Sequence, residues 1–295
     1  MAEVSGQKIL IVGPGYVGSE LAKGLAEKRT DVWVASRSGK IVDGCETVAM
    51  DVSDRNSVQS AGEKIDNPDA IIHCASSSRG AEDSYRKVYL DGTANLVEAF
   101  PHTSLIFTSS TSVYPQTDGS IVTEDSPANP DSENGRILRE AEDTVLAAGG
   151  SVLRLSGIYG PGRSIHLKRI FSGEAQIESG EPGRLLNQIH RDDIVSAIVH
   201  LLSLAPEDFR GEIFNLSDDT SLTMRTCYEW LAERYQKKLG PEVEANRTGK
   251  RAWTNKQVDN SKLRKTGWAP RYPSFKDAVK NDERLVRSIV DAPAP

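Results

Sequence analysis

The chain has 295 residues, enough for one large domain or two small ones, and a net charge of −6. That balance argues against nucleic acid as a partner, because a nucleic-acid face needs clustered Lys and Arg. The three cysteines (Cys45, Cys74, Cys227) lack CxxC spacing, and the five histidines (His73, His102, His166, His190, His200) form neither HxxxH nor HExxH, so neither a disulfide framework nor a metal centre is expected.

The segment from Met1 to Gln7 is polar and has no signal-peptide pattern, and no apolar run is long enough to span a bilayer. The expectation is a cytoplasmic protein with no membrane partner.

The first predicted element is a short apolar strand, Ile9–Val12. It runs into Gly13, Gly15 and Gly18, spaced GxGxxG, and then into a helix over Ser19–Glu27. The first glycine allows a tight turn, the second lets the backbone approach a pyrophosphate, and the third lets the helix pack on the strand. A phosphate at that helix N-terminus would meet unpaired N–H groups and the positive end of the helix dipole. The order strand, glycine turn, helix therefore points to a dinucleotide.

The second predicted strand, Asp31–Ala35, is followed by Ser36, Arg37 and Ser38. A carboxylate at that strand end would hydrogen-bond the free 2′-hydroxyl of NAD; an Arg accommodates a 2′-phosphate. No carboxylate is present, and Arg37 carries a fork of donors that suits phosphate. The cofactor expected is NADP, with NAD as the alternative. A third strand, Thr47–Met50, leads to Asp51, placed either to contact the adenine amino group or to N-cap the next helix, Asn56–Lys64.

Strands at Ala70–His73, Leu105–Thr108 and Ser151–Leu155 alternate with helical patterns over Ser84–Ala99 and Ser132–Ala147. Short apolar strands alternating with helices predict an α/β fold built on a doubly wound parallel sheet. Beyond Gly160 the pattern changes. Helices are expected at Ile165–Phe171, Asp192–Leu204, Thr223–Lys237 and Phe275–Ile289, strands at Gln188–His190 and Ile213–Leu216, and a surface loop over Ala245–Gln257. This gives a dinucleotide-binding domain over residues 1–160 and a smaller C-terminal substrate lobe over 161–290, some segments of which return to the first domain. A tail covers 291–295. The lobe is expected to form a cleft over the C-terminal sheet edge, where open α/β sheets bind ligands.

Several segments together resemble the extended short-chain dehydrogenases/reductases of the NAD-dependent epimerase/dehydratase type. They are Gly13–Gly18, Asp51-Val52, Ile71–Ala75, Asp91–Leu96, Thr108–Tyr114, Arg154–Pro161, Ile189–Asp193 and Phe214–Asp218. Two more, Gly135–Glu142 and Asn260–Trp268, resemble an atypical subgroup of that family. The resemblance implies a Rossmann fold. It adds Tyr16, Val17, Val52, Cys74, Ala75 and Ser76 to the cofactor contacts read above.

The family's catalytic tetrad is Asn, Ser or Thr, Tyr and Lys. Ser110 matches its Ser, which bonds the substrate oxygen. On the register of Gly135 and Glu142, Asn134 falls at the Tyr and Leu138 at the Lys, while Tyr89 falls at the Asn. The family's Lys lowers the Tyr pKa from about 10; Leu138 cannot do this, and Asn134 cannot exchange a proton near neutrality. The Tyr272–Lys276 YxxxK contains Pro273 and reads as coincidence. Tyr114 and Tyr89 are the best replacement acids. Tyr85, Tyr159 and His190 also fall in segments the family fold brings near the cleft.

The expected function is thus an NADP-dependent oxidoreductase or epimerase/dehydratase-like enzyme. It would transfer hydride to or from a small polar hydroxyl or carbonyl compound, such as a sugar or nucleotide sugar. Arg163, Arg184, Arg191 and Lys168 are candidate contacts for an anionic substrate, and a homodimer is the assembly considered. The alternative is a non-catalytic NADP(H) sensor or scaffold that has lost the Tyr/Lys pair.

Overall fold

Four consecutive apolar residues, Ile9 to Val12, are each at most 2% exposed, as a strand covered on both faces requires. They lie in the first strand of a computed structural model that describes residues 4–77, 82–180, 183–244 and 254–291. In chain order come β1 (Lys8–Val12), α1 (Gly18–Ala26), β2 (Asp31–Ser36), β3 (Glu46–Ala49), α2 (Arg55–Ile65), β4 (Ala70–His73), α3 (Glu82–Arg86), a π-helical turn (Lys87–Asp91), α4 (Gly92–Ala99) and β5 (Ser104–Ser110). There follow β6 (Ile121–Val122), α5 (Glu133–Ala147), β7 (Ser151–Leu155), β8 (Gly157–Tyr159), α6 (Ile165–Ser172), β9 (Leu185–Leu186), β10 (Gln188–His190) and α7 (Arg191–Leu202). The last are β11 (Ile213–Leu216), β12 (Leu222–Thr223), α8 (Met224–Tyr235), β13 (Gln257–Val258), α9 (Ser261–Lys265), α10 (Phe275–Asn281) and α11 (Glu283–Val290).

Seven strands form one sheet in the order β11-β7-β5-β4-β1-β2-β3. β1 pairs in parallel with β2 on one side and β4 on the other, and β2–β3 and β4–β5 are parallel too. This is the doubly wound order, in which the chain returns to the centre and proceeds outward the other way.

The chain divides into two interleaved units. The first is Met1–Val113, Ala128–Arg154 and Ile194–Phe214; the second is Tyr114–Pro127, Leu155–Asp193 and Asn215–Pro295. In the first, α5 is tied to the sheet by a buried ion pair. Glu142 receives Arg154 Nη2 at 2.7 Å and Ser109 Oγ at 2.6 Å, and Arg139 joins it from the preceding turn. The second has its own apolar core, in which Tyr159, Leu167, Ile170, Tyr228, Leu231 and Phe275 pack together.

Three expectations differ from the structure. The helix expected over Ser84–Ala99 runs without a gap, but its middle turn, Lys87–Asp91, is π-helical rather than α-helical. The helix expected over Phe275–Ile289 is two helices, because buried Asp282 turns extended and caps α11 by accepting the Arg284 N–H at 3.1 Å. Of the surface loop expected over Ala245–Gln257, Gln257 belongs to β13, which pairs with β6, while 245–253 lie outside the described residues, as do 292–295 of the tail. Among the described residues no helix is long and apolar enough to cross a membrane.

Candidate functional site

The glycine turn follows directly from β1. Gly13 has φ +91°, where a side chain is strained, and a Cβ there would sit 2.5 Å from the Ala75 backbone N. A Cβ on Gly18 would run into the Gly13 carbonyl oxygen. A Cβ on Gly15 would meet nothing within 4 Å. The first and third glycines are thus demanded by the fold, while the second keeps a space open in front of the turn. No side chain caps α1, whose N-cap is Val17. A turn that keeps its middle position bare, before an uncapped helix start, suits the pyrophosphate of a dinucleotide. Val17 is buried and Tyr16 half-buried.

At the end of β2, Ser36 closes a compact turn: its carbonyl accepts the Gly39 N–H at 3.1 Å, and its Oγ accepts the Lys40 N–H at 2.9 Å. Arg37 and Ser38 are exposed at the head of this turn, and Arg37 has no ion pair among the described residues. Lys40 was not singled out from the sequence, although it lies only three positions beyond Arg37. Its Nζ donates to the Pro14 carbonyl at 2.9 Å and to Ser19 Oγ at 3.1 Å, so a cation rests on the glycine turn.

Asp51 does not cap α2. Its Oδ1 accepts the Ser53 N–H at 3.0 Å and the Ser53 hydroxyl at 2.7 Å, while Asp54 caps the helix by accepting the N–H groups of Asn56 and Ser57. Val52 is buried close beneath Gly92 of α4. Past β4, Cys74 donates its backbone N–H to Val12 at 2.8 Å, and burial pushes its thiol up to about 12. Ala75 packs against Gly13, and Ser76 is exposed.

Ser110 ends β5 half-buried. Its Oγ accepts the Ser112 N–H at 3.1 Å, which leaves its own O–H to donate elsewhere. Tyr89 lies in the π turn, its ring 4.4 Å from that of Tyr85 and edge-on to Phe107 at 6.3 Å. Burial raises its phenol above the usual value, partly offset by the Ser77 backbone.

Tyr114 is a correction. It is 0% exposed, donates its hydroxyl to Asn215 Oδ1 at 2.9 Å, and accepts Lys256 Nζ at its carbonyl at 2.7 Å. Burial brings that lysine down to about 8. A tyrosine held in this way packs in the interior of the second unit, which suits an anchor better than an acid. At the positions of the family's Tyr and Lys, Asn134 is exposed and Leu138 is core.

In the second unit, Arg184 pairs with Glu178 and Arg191 with Asp192, so two of the candidate anion contacts are already engaged. His190 is buried, which lowers it to about 4; neutral, its Nδ1 accepts the Asp192 N–H at 3.2 Å. Its Nε2 lies 3.3 Å from Asp282 without hydrogen-bond alignment. His190, Asp192 and Asp282 converge as metal ligands do, but Arg191 and Arg284 already balance the carboxylates. The arrangement is an ion-pair cluster.

Residues 9–217 match the profile of the NAD-dependent epimerase/dehydratase family. The protein YeeZ of Escherichia coli strain K12 is 32% identical over 284 residues, covering 90% of this chain and 97% of its own. The enzyme WbmG of Bordetella bronchiseptica, solved with NAD, superposes with a TM-score of 0.81 at 19% identity, covering 97% of this chain and 96% of that one. The UDP-glucose 4-epimerase of Thermotoga maritima, solved with UDP-glucose, superposes with a TM-score of 0.78 at 19% identity, covering 96% of this chain and 99% of that one. At such identities the two structures share the fold.

Proposed function

The chain belongs to the NAD-dependent epimerase/dehydratase family, and from that premise we propose that it binds NADP(H) on the glycine turn of its first unit and acts on a small polar hydroxyl or carbonyl compound. The observation that carries the reading is the turn itself, in which Gly13 and Gly18 are locked by their neighbours and the Gly15 position is bare. Gly13, Gly15, Tyr16, Val17 and Gly18 would hold the pyrophosphate, Arg37 and Ser38 the ribose phosphate, and Ala75 and Ser76 the far side. The bound nicotinamide would supply or accept the hydride. The UDP-glucose in the Thermotoga epimerase supports a sugar or nucleotide sugar as the substrate class.

Ser110 would donate its O–H to the substrate oxygen. The proton would come from Tyr89, since Leu138 offers no charge to activate a phenol elsewhere. A phenol raised by burial stays protonated near neutrality, so Tyr89 suits delivery of a proton to a developing alkoxide. Carbonyl reduction is therefore the direction these residues favour. The test is oxidation of NADPH with a panel of aldehydes, ketones and keto-sugars, by the wild type and Ser110→Ala. NADPH consumption that falls sharply in the variant supports the reading. No consumption with any compound overturns it and favours a non-catalytic NADP(H) sensor, the class that Asn134 and Leu138 otherwise suit.

A further inference from the structure

The π turn that carries Tyr89 takes a donor away from one helical carbonyl. In an α-helix the carbonyl of Val88 would accept the N–H of Gly92, four residues on. Here the Gly92 N–H donates to the Lys87 carbonyl, five residues back. The Val88 carbonyl instead meets Nε2 of His73, at the end of β4, at 3.2 Å. A carbonyl has no proton to give, so the imidazole proton sits on Nε2 and the ring donates. The other ring nitrogen agrees: Nδ1 is buried without a partner, and a charged ring would leave an N–H unbonded there. His73 is 0% exposed, so the bond lies out of reach of solvent. The next carbonyl in the turn, that of Tyr89, accepts the buried Thr93 hydroxyl at 2.5 Å. Two side chains thus serve two successive carbonyls, and Tyr89 stands at them.

We propose that His73 is a positioning residue: by bonding the Val88 carbonyl from the end of β4 it holds the turn in its π register, and so sets where the Tyr89 phenol stands. The hold on the turn stands apart from any chemistry; its effect on turnover rests on the reading of Tyr89 as the acid. A π turn has poorer hydrogen-bond geometry than an α turn, and it lasts where a group outside the ladder supports it. Without the imidazole donor, the Val88 carbonyl is left short of a partner, and the remedy is to take back the Gly92 N–H. That slip moves the turn by one residue, which is about 100° around the helix axis. Phe107 of β5 reports the register, because its ring lies 5.4 Å from that of His73 and 6.3 Å, edge-on, from that of Tyr89.

The test uses the full chain, with circular dichroism to confirm folding. In the wild type, the imidazole nitrogen resonances of His73 should show a neutral ring protonated on Nε2 at neutral pH. A proton on Nδ1 alone overturns the proposal, and this measurement needs no variant. His73→Met removes the donor, while His73→Gln returns an amide N–H close to where Nε2–H was. A nuclear Overhauser contact between the Tyr89 and Phe107 rings should appear in the wild type and in His73→Gln and be lost in His73→Met. With a carbonyl compound that the wild type reduces, kcat should fall about 10²-fold in His73→Met with KM unchanged, and largely recover in His73→Gln. Adding His73→Met to Tyr89→Phe should cost little more, because the acid is already gone. A folded His73→Met protein that keeps both the ring contact and kcat overturns the proposal. Loss of the contact in both variants overturns it too, making His73 a packing residue. Loss of the contact with kcat intact supports the hold of His73 on the turn and overturns the acid role of Tyr89.

Discussion

The backbone N of Ala75 stands 2.5 Å from where a Gly13 Cβ would lie, so the two residues leave no room for a side chain where β1 ends. Two positions on, Gly15 faces open space. The pair of glycines should therefore respond in opposite ways to substitution. Gly13→Ala forces a strained φ and an overlap with backbone, and should lower stability by about 1–3 kcal/mol. Gly15→Val should melt close to wild type but no longer bind NADP, because its branched side chain fills the space left for the pyrophosphate. Thermal melts and calorimetry on the two variants check this. Cofactor binding by a folded Gly15→Val protein would place the phosphates elsewhere.

Leu138 is 1% exposed and Asn134 is exposed, although a catalytic pair would occupy these two positions in the family pattern. Leu138→Ala should cost about 2–5 kcal/mol through the cavity it leaves. Asn134→Ala should leave stability nearly unchanged. Turnover per folded molecule, measured well below the melting transition, should stay close to wild type in both. A large drop in turnover for Asn134→Ala would return that residue to the active site.

Two tyrosine-to-phenylalanine changes separate an interior anchor from an acid. Tyr114→Phe leaves Asn215 Oδ1 without its buried donor, which should lower stability by about 1–3 kcal/mol. Tyr89→Phe should barely alter the melting temperature and should lower turnover about 10²–10⁴-fold. Denaturant titrations and steady-state rates give the two readouts. The reverse pattern would exchange the roles assigned to them.

Burial brings His73 and His166 each down to about 4, as it does His190. Each folded imidazole stays neutral down to that pH, while in the unfolded chain it takes up a proton near 6.5. The unfolded state therefore binds more protons between about pH 6.5 and 4, and stability falls as pH falls through that window. Asp193, raised to about 6 chiefly by burial, acts in the opposite sense, its contribution being lost as pH rises through 6. Asp218, raised by burial, works in the same direction as Asp193. In His166→Gln, where the Tyr228 hydroxyl can still be bonded, the slope of stability against pH should drop by about 1.4 kcal/mol per pH unit in that window. Urea midpoints measured between pH 4.5 and 7 test this; an unchanged slope would mean that His166 is protonated in the folded state.

The family and the doubly wound sheet were legible in the sequence because the signals behind them are local. β4 and β7 match their expected bounds, and β1, β2, β3 and β5 fall within two residues of theirs, since a strand buried on both faces is a short apolar run between polar residues. The glycine turn was legible for a similar reason, its three positions lying within six residues of one another. Register, caps and exposure are not local. The break at Asp282 and the sealing of Tyr114 by Asn215, 101 residues away, depend on contacts that periodicity cannot register. The π turn that carries Tyr89 inserts a residue into a run whose apolar spacing reads as one continuous helix.

The sequence by itself determined that a parallel sheet would carry a bare glycine turn and that the Tyr and Lys of the family pattern are absent, because residue identity alone decides both. Only the tertiary structure decided which hydroxyls and cations stand at the turn and which are walled into a core. Tyr114 and Tyr89 look equally suited to proton transfer as residue types; complete burial of the first and only partial burial of the second separate them. Lys40 looks like any surface lysine until the fold sets its ammonium on the carbonyl of Pro14, 26 positions earlier in the chain. The physical reason is the same in each case: the chemistry of a side chain depends on its solvent and its partners, and these are assigned by residues distant in sequence.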